Sequence, residues 1–183
     1  MRDRNKIALQ SDLLGANDFD IRAILALTGD PANMSDQPNS KGVFEANSLM
    51  LLKMIKSFNY GMDFAGRPFK IEPKQIFPFA VVNAYAKNFG SLEKKMHLKI
   101  QNGAVGVITQ PVFDIENVKK LLENFENAKE NVEGDKRKAQ LIFGVFPITK
   151  LRTALFLSAQ VPGIHVPQFW IKKKKKAHNI SEE

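Results

Sequence analysis

Cysteine is absent from the 183 residues of this chain, which excludes disulfide bonds, thiolate catalysis and cysteine-ligated metal sites. Long apolar runs are absent too, since none approaches the ~20 residues that a membrane-spanning helix needs. The first residues, Met1 to Lys6, are charged and are not followed by the apolar core of a signal peptide. Together these absences predict a protein of a reducing cytoplasm.

The composition, with 44% hydrophobic and 25% charged residues, is typical of a soluble globular domain. Part of the net charge of +8 lies in the run from Lys172 to Lys176. Such a run can bind nucleic acid or an anionic membrane, but no aromatic residues alternate with the basic ones. We therefore interpret residues 169–183 as a solvated helix or tail, with neither nucleic acid nor membrane as a partner. His97, His165 and His178 form no metal-ligand cluster, so no metal is expected.

Hydrophobic periodicity predicts a first helix over residues 4–17, ended by Gly15, and then alternating strands and helices. The predicted strands are continuously apolar and span residues 23–27, 77–82, 105–108, 140–143 and 164–166. The later helices are predicted at 47–58, 91–102, 115–128, 149–159 and from 169 onwards. Asn47 and Asp114 are the predicted N-caps. Three connections stand out: a polar loop at 29–42, a turn-rich segment at 60–75 and a charged loop at 130–138.

Continuously apolar strands that alternate with helices indicate a parallel sheet. Polar residues follow the strands and would line the C-terminal edge of that sheet, where α/β folds bind ligands. A closed eight-stranded barrel has typically ~250 residues, so five repeats match the last part of a (β/α)8 TIM barrel. The alternative is a complete, open, doubly wound sheet. No glycine-rich phosphate fingerprint follows a strand, since Gly103 and Gly106 lie before and at the start of theirs, in a helix-to-strand turn. We predict a single α/β domain over residues 1–183, a partial barrel of parallel strands.

The first predicted strand ends abruptly in Thr28-Gly29-Asp30-Pro31. Glycine allows another group to approach the backbone closely. A carboxylate in this position either caps the loop ahead of Pro31 or serves a ligand at the sheet edge. The residues alone do not decide between these two roles.

Six blocks of the sequence together resemble successive motifs of the methylenetetrahydrofolate reductase family, and most closely the branch that also occurs fused to homocysteine methyltransferase. They are RDRNKIALQSDLLGA, ILALTGDP, KGVF, LKIQNGAVGVITQPVFD, GVFPITKLRTALFL and VPGIHVP. The resemblance implies a flavoprotein oxidoreductase built on an eight-stranded barrel. FAD would take a hydride from NADH or NADPH and pass it to 5,10-methylenetetrahydrofolate, giving the 5-methyltetrahydrofolate used in methionine biosynthesis and one-carbon metabolism.

The resemblance also implies roles for individual residues. Asp30 would lie beside the flavin and the folate, where its charge disfavours the anionic reduced flavin, and Gln110 would hydrogen-bond the folate ring. Lys99 would reach the diphosphate of FAD, and Leu151 would replace an aromatic residue that contacts substrate in some relatives. The residues implied in cofactor binding are Thr28, Gly29, Asp30, Glu45, Ala46, Asn83, Lys87 and Lys99.

In the family the glutamate that protonates the folate lies on the first barrel strand, and no residue of this chain matches it. Three interpretations follow: a fragment completed by another polypeptide, a reductase completed by exchange within a homo-oligomer, and a non-catalytic subunit that contributes only FAD- and folate-binding surface. In each case the isolated strands are expected to leave unpaired edges and an exposed apolar barrel interior.

Overall fold

The computed structural model describes residues 2–31, 34, 36–130, 132–133, 139–161 and 163–180. Of these, residues 178–180 are described by their backbone alone. Several residues named above lie outside this description. They are Met1, residues 32, 33 and 35 of the polar loop, residues 131 and 134–138 of the charged loop, Pro162, the side chain of His178, and residues 181–183 of the terminal segment.

Helices and strands alternate from residue 6 to residue 160 as the sequence predicts, and the four strands form one sheet in the order β1-β2-β3-β4, with every pair parallel. The elements are α1 (Lys6–Asp18), β1 (Ala23–Ala26), α2 (Ser48–Asn59), β2 (Phe77–Val82), α3 (Phe89–Gln101), β3 (Gly106–Pro111), α4 (Ile115–Glu130), β4 (Gln140–Gly144), α5 (Leu151–Gln160) and α6 (Gln168–Ile180).

Two predicted helix starts are confirmed by their capping hydrogen bonds. The Asn47 Oδ1 atom accepts from the backbone N–H of Met50 at 3.0 Å, at the start of α2. The Asp114 Oδ1 atom accepts from the N–H of Asn117 at 2.7 Å, at the start of α4. Each side chain satisfies a backbone donor that has no partner within its own helix.

Helices α1–α4 cover one face of the sheet. Ala26, Ala80 and Val107 are buried on that face and pack against α1–α4. A doubly wound sheet would carry helices on both faces. The single helical layer therefore supports a partial barrel over the doubly wound alternative.

The other face of the sheet is open and apolar. Leu25, Phe77 and Ile142 remain 43%, 44% and 39% exposed on it. Within the described residues β1 pairs only with β2, and β4 pairs only with β3. The expected unpaired edges and exposed barrel interior are both confirmed.

The predicted fifth strand at 164–166 is wrong. Residues 164–167 form no strand, and the N–H of Ile164 turns back to the carbonyl of Val161 at 3.4 Å. Gly163 has a φ of +78°, and Pro167 has no N–H to donate, so the short apolar run between them is held out of the sheet. The sheet of the described residues has four strands.

The predicted end of the first helix at Gly15 is also wrong, because α1 continues through Gly15 to Asp18. The chain leaves the helix at Phe19, and Asp20 then adopts a φ of +59°. A single glycine inside a helix costs only about 1 kcal/mol relative to alanine, so neighbouring packing overrides it.

The Lys172–Lys176 run lies on α6. Lys174 Nζ donates to the carbonyl of Thr149 at 3.3 Å, and Lys173 Nζ lies 5.4 Å from the centre of the Trp170 ring. No described helix is both long and apolar enough to cross a membrane.

Candidate functional site

The carboxyl ends of the four parallel strands meet at one edge of the sheet, which we call the rim. Thr28 and Asp30 follow β1, Asn83 follows β2, and Gln110 lies near the end of β3. Because β1 and β3 are separated by two strand spacings, about 10 Å, the residues predicted to serve the flavin and the folate share this rim.

Asp30 is exposed on the rim and acts electrostatically on Arg2. The hydrogen bonds that the Arg2 guanidinium donates to the Asp3 carboxylate are the main cause that raises the pKa of Arg2, and the charge of Asp30 acts in the same direction. The N-terminal segment is held there because the carbonyl of Arg2 accepts from the N–H of Val43 at 2.7 Å. Gly29 makes this approach possible, since a Cβ on it would lie 3.1 Å from the Arg2 Cβ, at a φ of +90°.

Three of the residues predicted to bind cofactor have structural partners here. Thr28 Oγ1 accepts from the N–H of Ser48 at 3.2 Å, which ties the end of β1 to the start of α2. Glu45 accepts from the N–H of Lys6 at 2.9 Å and so caps α1. Ala46 is buried in the core between α1 and α2.

A cleft of about 440 Å³ lies between the end of β2 and the start of α3. It brings together Asn83, Lys87 and Lys99, three of the residues that the resemblance assigns to the cofactor. Lys95 also lines it, and among the described lining residues there is no carboxylate. Three cationic side chains beside a helix N-terminus favour the binding of an anion.

Lys99 is the most enclosed of these lysines. Its Nζ donates a hydrogen bond to the carbonyl of Val81, on β2. Burial lowers the pKa of Lys99, and the charge of Lys95 lowers it further. An anion in the cleft would reverse both effects, because it stabilises the charged ammonium.

The side-chain amide of Gln110 lies against Gly163. Its Oε1 atom is buried and has no hydrogen-bond partner among the described residues. A Cβ placed on Gly163 would lie 2.3 Å from Gln110 Nε2, so the segment after α5 lies directly against this amide. Gly144 instead approaches the backbone of β3, where its Cβ would lie 2.6 Å from the carbonyl of Thr109. The segment at Gly163 therefore confines the amide, whose Oε1 acceptor is left without a partner.

Leu151 begins α5, which follows the rim end of β4. It is partly buried against the cluster formed by Ala154, Leu157 and Val166. It also lines a shallow cleft of about 570 Å³ on α5. Packing is thus the role that its observed contacts support.

The sequence model of one protein family, described as methylenetetrahydrofolate reductase, matches residues 1–182. The chain belongs to the methylenetetrahydrofolate reductase family. No curated protein matches the chain. The methylenetetrahydrofolate reductase family has a TIM-barrel fold, and the four parallel strands with one helical layer are consistent with part of such a barrel.

Membership of the methylenetetrahydrofolate reductase family indicates an oxidoreductase of folate and one-carbon metabolism. The family implies a folate substrate and a nicotinamide reductant, and it is generally flavin-dependent.

One network at the rim was not predicted from the sequence. The Tyr85 hydroxyl donates to Asp114 Oδ2 at 2.9 Å and accepts from the N–H of Phe113 at 2.8 Å. The ring of His165 lies 5.0 Å from the ring of Tyr85, and Trp170 Nε1 donates to the Phe113 carbonyl at 2.9 Å. Only Asp114 gave a sequence signal, as an N-cap. The other members come together because three rim segments pack against one another.

Replacing Tyr85 with Phe should lower the free energy of unfolding by about 1–3 kcal/mol, because the N–H of Phe113 loses its acceptor. Tyr60→Phe is the matched control, since Tyr60 is largely exposed. Urea unfolding of both variants measures the difference. Equal stability of the two variants would show that the Tyr85 hydroxyl does not hold the rim together.

The Tyr85 hydroxyl also makes the stability of the fold depend on pH in the alkaline range. Burial raises the pKa of Tyr85 to about 12, with the Asp114 hydrogen bond acting in the same direction. The folded state then holds this proton more tightly than the unfolded state, whose pKa is about 10. The stabilisation is present below pH ~10 and is lost as the pH rises toward 12. Tyr85→Phe should therefore flatten the loss of stability over this interval.

Proposed function

We propose that this chain forms the flavin-binding rim of a methylenetetrahydrofolate reductase that uses FAD, with NADH or NADPH as the reductant and methylenetetrahydrofolate as the substrate. The observation that carries the proposal is the lysine-lined cleft at the start of α3, which gathers Asn83, Lys87 and Lys99. When bound, FAD would supply the hydride relay between the nicotinamide and the folate.

The residues of the cleft fit the diphosphate of FAD. A diphosphate needs cationic groups and backbone N–H donors, and the cleft offers three lysines beside the first turn of α3. That first turn contains no acidic residue. Lys99 and Lys87 would hold the phosphate oxygens, and Lys95 would add to the positive potential.

Asp30 would set the electrostatic potential where the ring system of the cofactor meets the rim. A fixed carboxylate on the rim disfavours further negative charge nearby. The positive charge of Arg2 reduces this effect, because the Arg2 guanidinium interacts electrostatically with Asp30. The two side chains would together set the local potential.

Gln110 would bind and orient the folate ring. An amide can both donate and accept, as a pterin-like edge requires. The Gln110 Oε1 atom has no partner among the described residues, which supports this role, although the segment at Gly163 that buries it would have to move before a ligand donor could reach it. Gly163 limits the directions in which this amide can turn.

The open edges of β1 and β4 support the proposal that further strands complete the catalytic site. A second candidate function is a non-catalytic subunit that contributes only FAD- and folate-binding surface. This alternative is favoured because no residue of the chain matches the family's catalytic glutamate. Flavin absorbance of the purified protein, followed by anaerobic addition of NADH or NADPH, separates these functions. A yellow protein that is bleached supports the reductase; a yellow protein that is not bleached supports the binding subunit.

Asp30→Asn should slow folate reduction about tenfold or more in an active assembly, while nicotinamide oxidation changes less. The charge of Asp30 matters most where positive charge develops on the folate. Stopped-flow measurement of each half-reaction tests this, with Asp36→Asn as a control on the same loop. Equal losses in both half-reactions would contradict the assigned role.

A further inference from the structure

We propose that residues 163–167 form a cover over Gln110 that must open before folate binds, and that the ring of His165 holds this cover closed against Tyr85. The cover rests on the proposed role of Gln110 in folate binding and adds a control on access to that amide. Three observations support it: the enclosure of Gln110, the few contacts that hold the outer part of the cover, and the anchoring of its base.

A single segment of backbone separates the Gln110 amide from solvent. Gln110 Oε1 is buried without a partner among the described residues, whereas Gly163, which lies against the amide, is itself exposed. A buried acceptor that lacks a partner raises the free energy of the closed form. A folate donor can remove this cost, but only after the cover has moved. The closed form is therefore one that a ligand can displace.

Few contacts hold the outer part of the cover, residues 163–165. The one backbone hydrogen bond that these residues donate to another described residue runs from the Ile164 N–H to the Val161 carbonyl, and at 3.4 Å it is longer than is typical. Ile164 is only partly buried. His165 is exposed, and its ring lies 5.0 Å from the Tyr85 ring at an interplanar angle of 51°. A segment with so few contacts opens locally at little cost.

Tyr85 offers the His165 ring a fixed surface. The Tyr85 hydroxyl donates to Asp114 Oδ2 at 2.9 Å and accepts from the N–H of Phe113 at 2.8 Å, so the Tyr85 ring does not follow the cover when the cover moves. The contact between the two rings therefore exists only in the closed form. A contact between aromatic side chains is strong enough to change such an equilibrium about three- to tenfold.

The base of the cover is anchored. Val166 is 2% exposed and packs in the apolar cluster between α5 and α6. The Pro167 carbonyl accepts from the N–H of Trp170 at 3.0 Å, and Trp170 Nε1 donates to the Phe113 carbonyl at 2.9 Å. Gly163, with a φ of +78°, supplies backbone freedom at the other end. The outer part can thus move while the base stays attached to α6.

Opening the cover and crowding it have opposite effects on folate binding. When the cover opens, Gln110 keeps its position and its acceptor becomes accessible. A Cβ on Gly163 instead meets the amide, 2.3 Å from Nε2, and turns the Gln110 side chain away. The apparent affinity for a ligand is reduced by the fraction of molecules that cannot bind it. Removing the His165 ring should therefore strengthen folate binding, whereas the loss of a direct ligand contact would weaken it.

Chemical labelling of the full chain tests the opening without folate or flavin. The chain has no cysteine, so Gln110→Cys places a single thiol under the cover. Its rate of alkylation by iodoacetamide should rise about three- to tenfold when His165→Ala is added, and should return to the original rate with His165→Phe, which keeps a ring. Val107→Cys, buried on the same strand, reports unfolding of the core and should react equally slowly with and without His165→Ala. An unchanged rate at position 110, or an equal rise at position 107, would overturn the proposal.

Equilibrium titration with 5-methyltetrahydrofolate then connects the cover with the ligand. His165→Ala should lower the dissociation constant by up to the same factor, and His165→Phe should leave it unchanged. An unchanged or raised dissociation constant in His165→Ala would overturn the cover as a barrier to folate. If neither the unmodified chain nor His165→Ala binds this folate, the proposed function fails, and the labelling rates alone decide whether the cover opens.

Discussion

Replacing Lys99 with Met is expected to weaken FAD binding about tenfold or more, because a charge-assisted hydrogen bond contributes roughly 1.5–3 kcal/mol. The same change should raise the free energy of unfolding at neutral pH. Lys99 places its ammonium in a cleft where burial, and then the charge of Lys95, lower its pKa. Met retains the apolar length of the side chain and removes a charge that the folded state holds at a cost.

The pH dependence follows from the direction of this pKa shift. In the folded state Lys99 binds its proton less tightly than in the unfolded chain, where the lysine pKa is about 10.4. The destabilisation is therefore full below the folded-state pKa and is relieved as the pH rises through it. Unfolding of the unmodified chain and of Lys99→Met in urea should show a gap at pH 7 that narrows toward pH 10.

Lys94→Met is the matched control. Lys94 lies on the same helix, is exposed, and does not line the cleft. Lys94→Met and Lys99→Met each remove one positive charge, so the nonspecific effect of net charge on an anionic ligand is equal in the two variants. Equal FAD affinity of the two variants would contradict the role of Lys99, whatever happens to stability.

Gly163→Ala is expected to lower the free energy of unfolding by about 1–3 kcal/mol through its backbone conformation alone, and to weaken folate binding by displacing Gln110. The φ of +78° is one that an L-residue adopts with strain, and the new Cβ would lie 2.3 Å from Gln110 Nε2. The amide must then turn away from the position that it holds against Gly163.

Gly61→Ala separates the two parts of this effect. Gly61 has a similar φ of +73°, but nothing lies within 4 Å of its added Cβ. It should therefore show the backbone cost without any change in folate binding. Unfolding in urea and equilibrium folate titration of both variants provide the measurements. If Gly61→Ala weakened folate binding as much as Gly163→Ala, the contact with Gln110 would have no specific role.

The fold was predictable wherever a local pattern decides the structure. β2 was predicted at residues 77–82 and is found there, because its apolar run is bounded by turn residues on both sides. Asn47 and Asp114 cap helices as predicted, since N-capping depends on residues only three positions apart. Residues 164–166 are a similar short run, but they form no strand. The segments on either side of the run, and not the run itself, set its position relative to β4.

The site was predictable in part. Parallel strands alone place Asp30, Asn83 and Gln110 on one edge, and the structure confirms that placement. The contacts of Arg2 with the loop after β1 were not predictable, because they join residues far apart in the sequence. The same holds for Tyr85 and Asp114, which are 29 positions apart. Such pairs form only through tertiary packing, so no periodic pattern in the sequence predicts them.

Equilibrium titration with FAD, followed by flavin absorbance and fluorescence, tests the central claim that the rim binds this cofactor. We expect saturable binding by the chain, strengthened when a segment that supplies the family's barrel strands preceding β1 is added in trans. The cleft at α3 would hold the diphosphate in both cases, and the added strands would complete the pocket. The absence of saturable binding, or equally weak binding with and without that segment, would contradict the account.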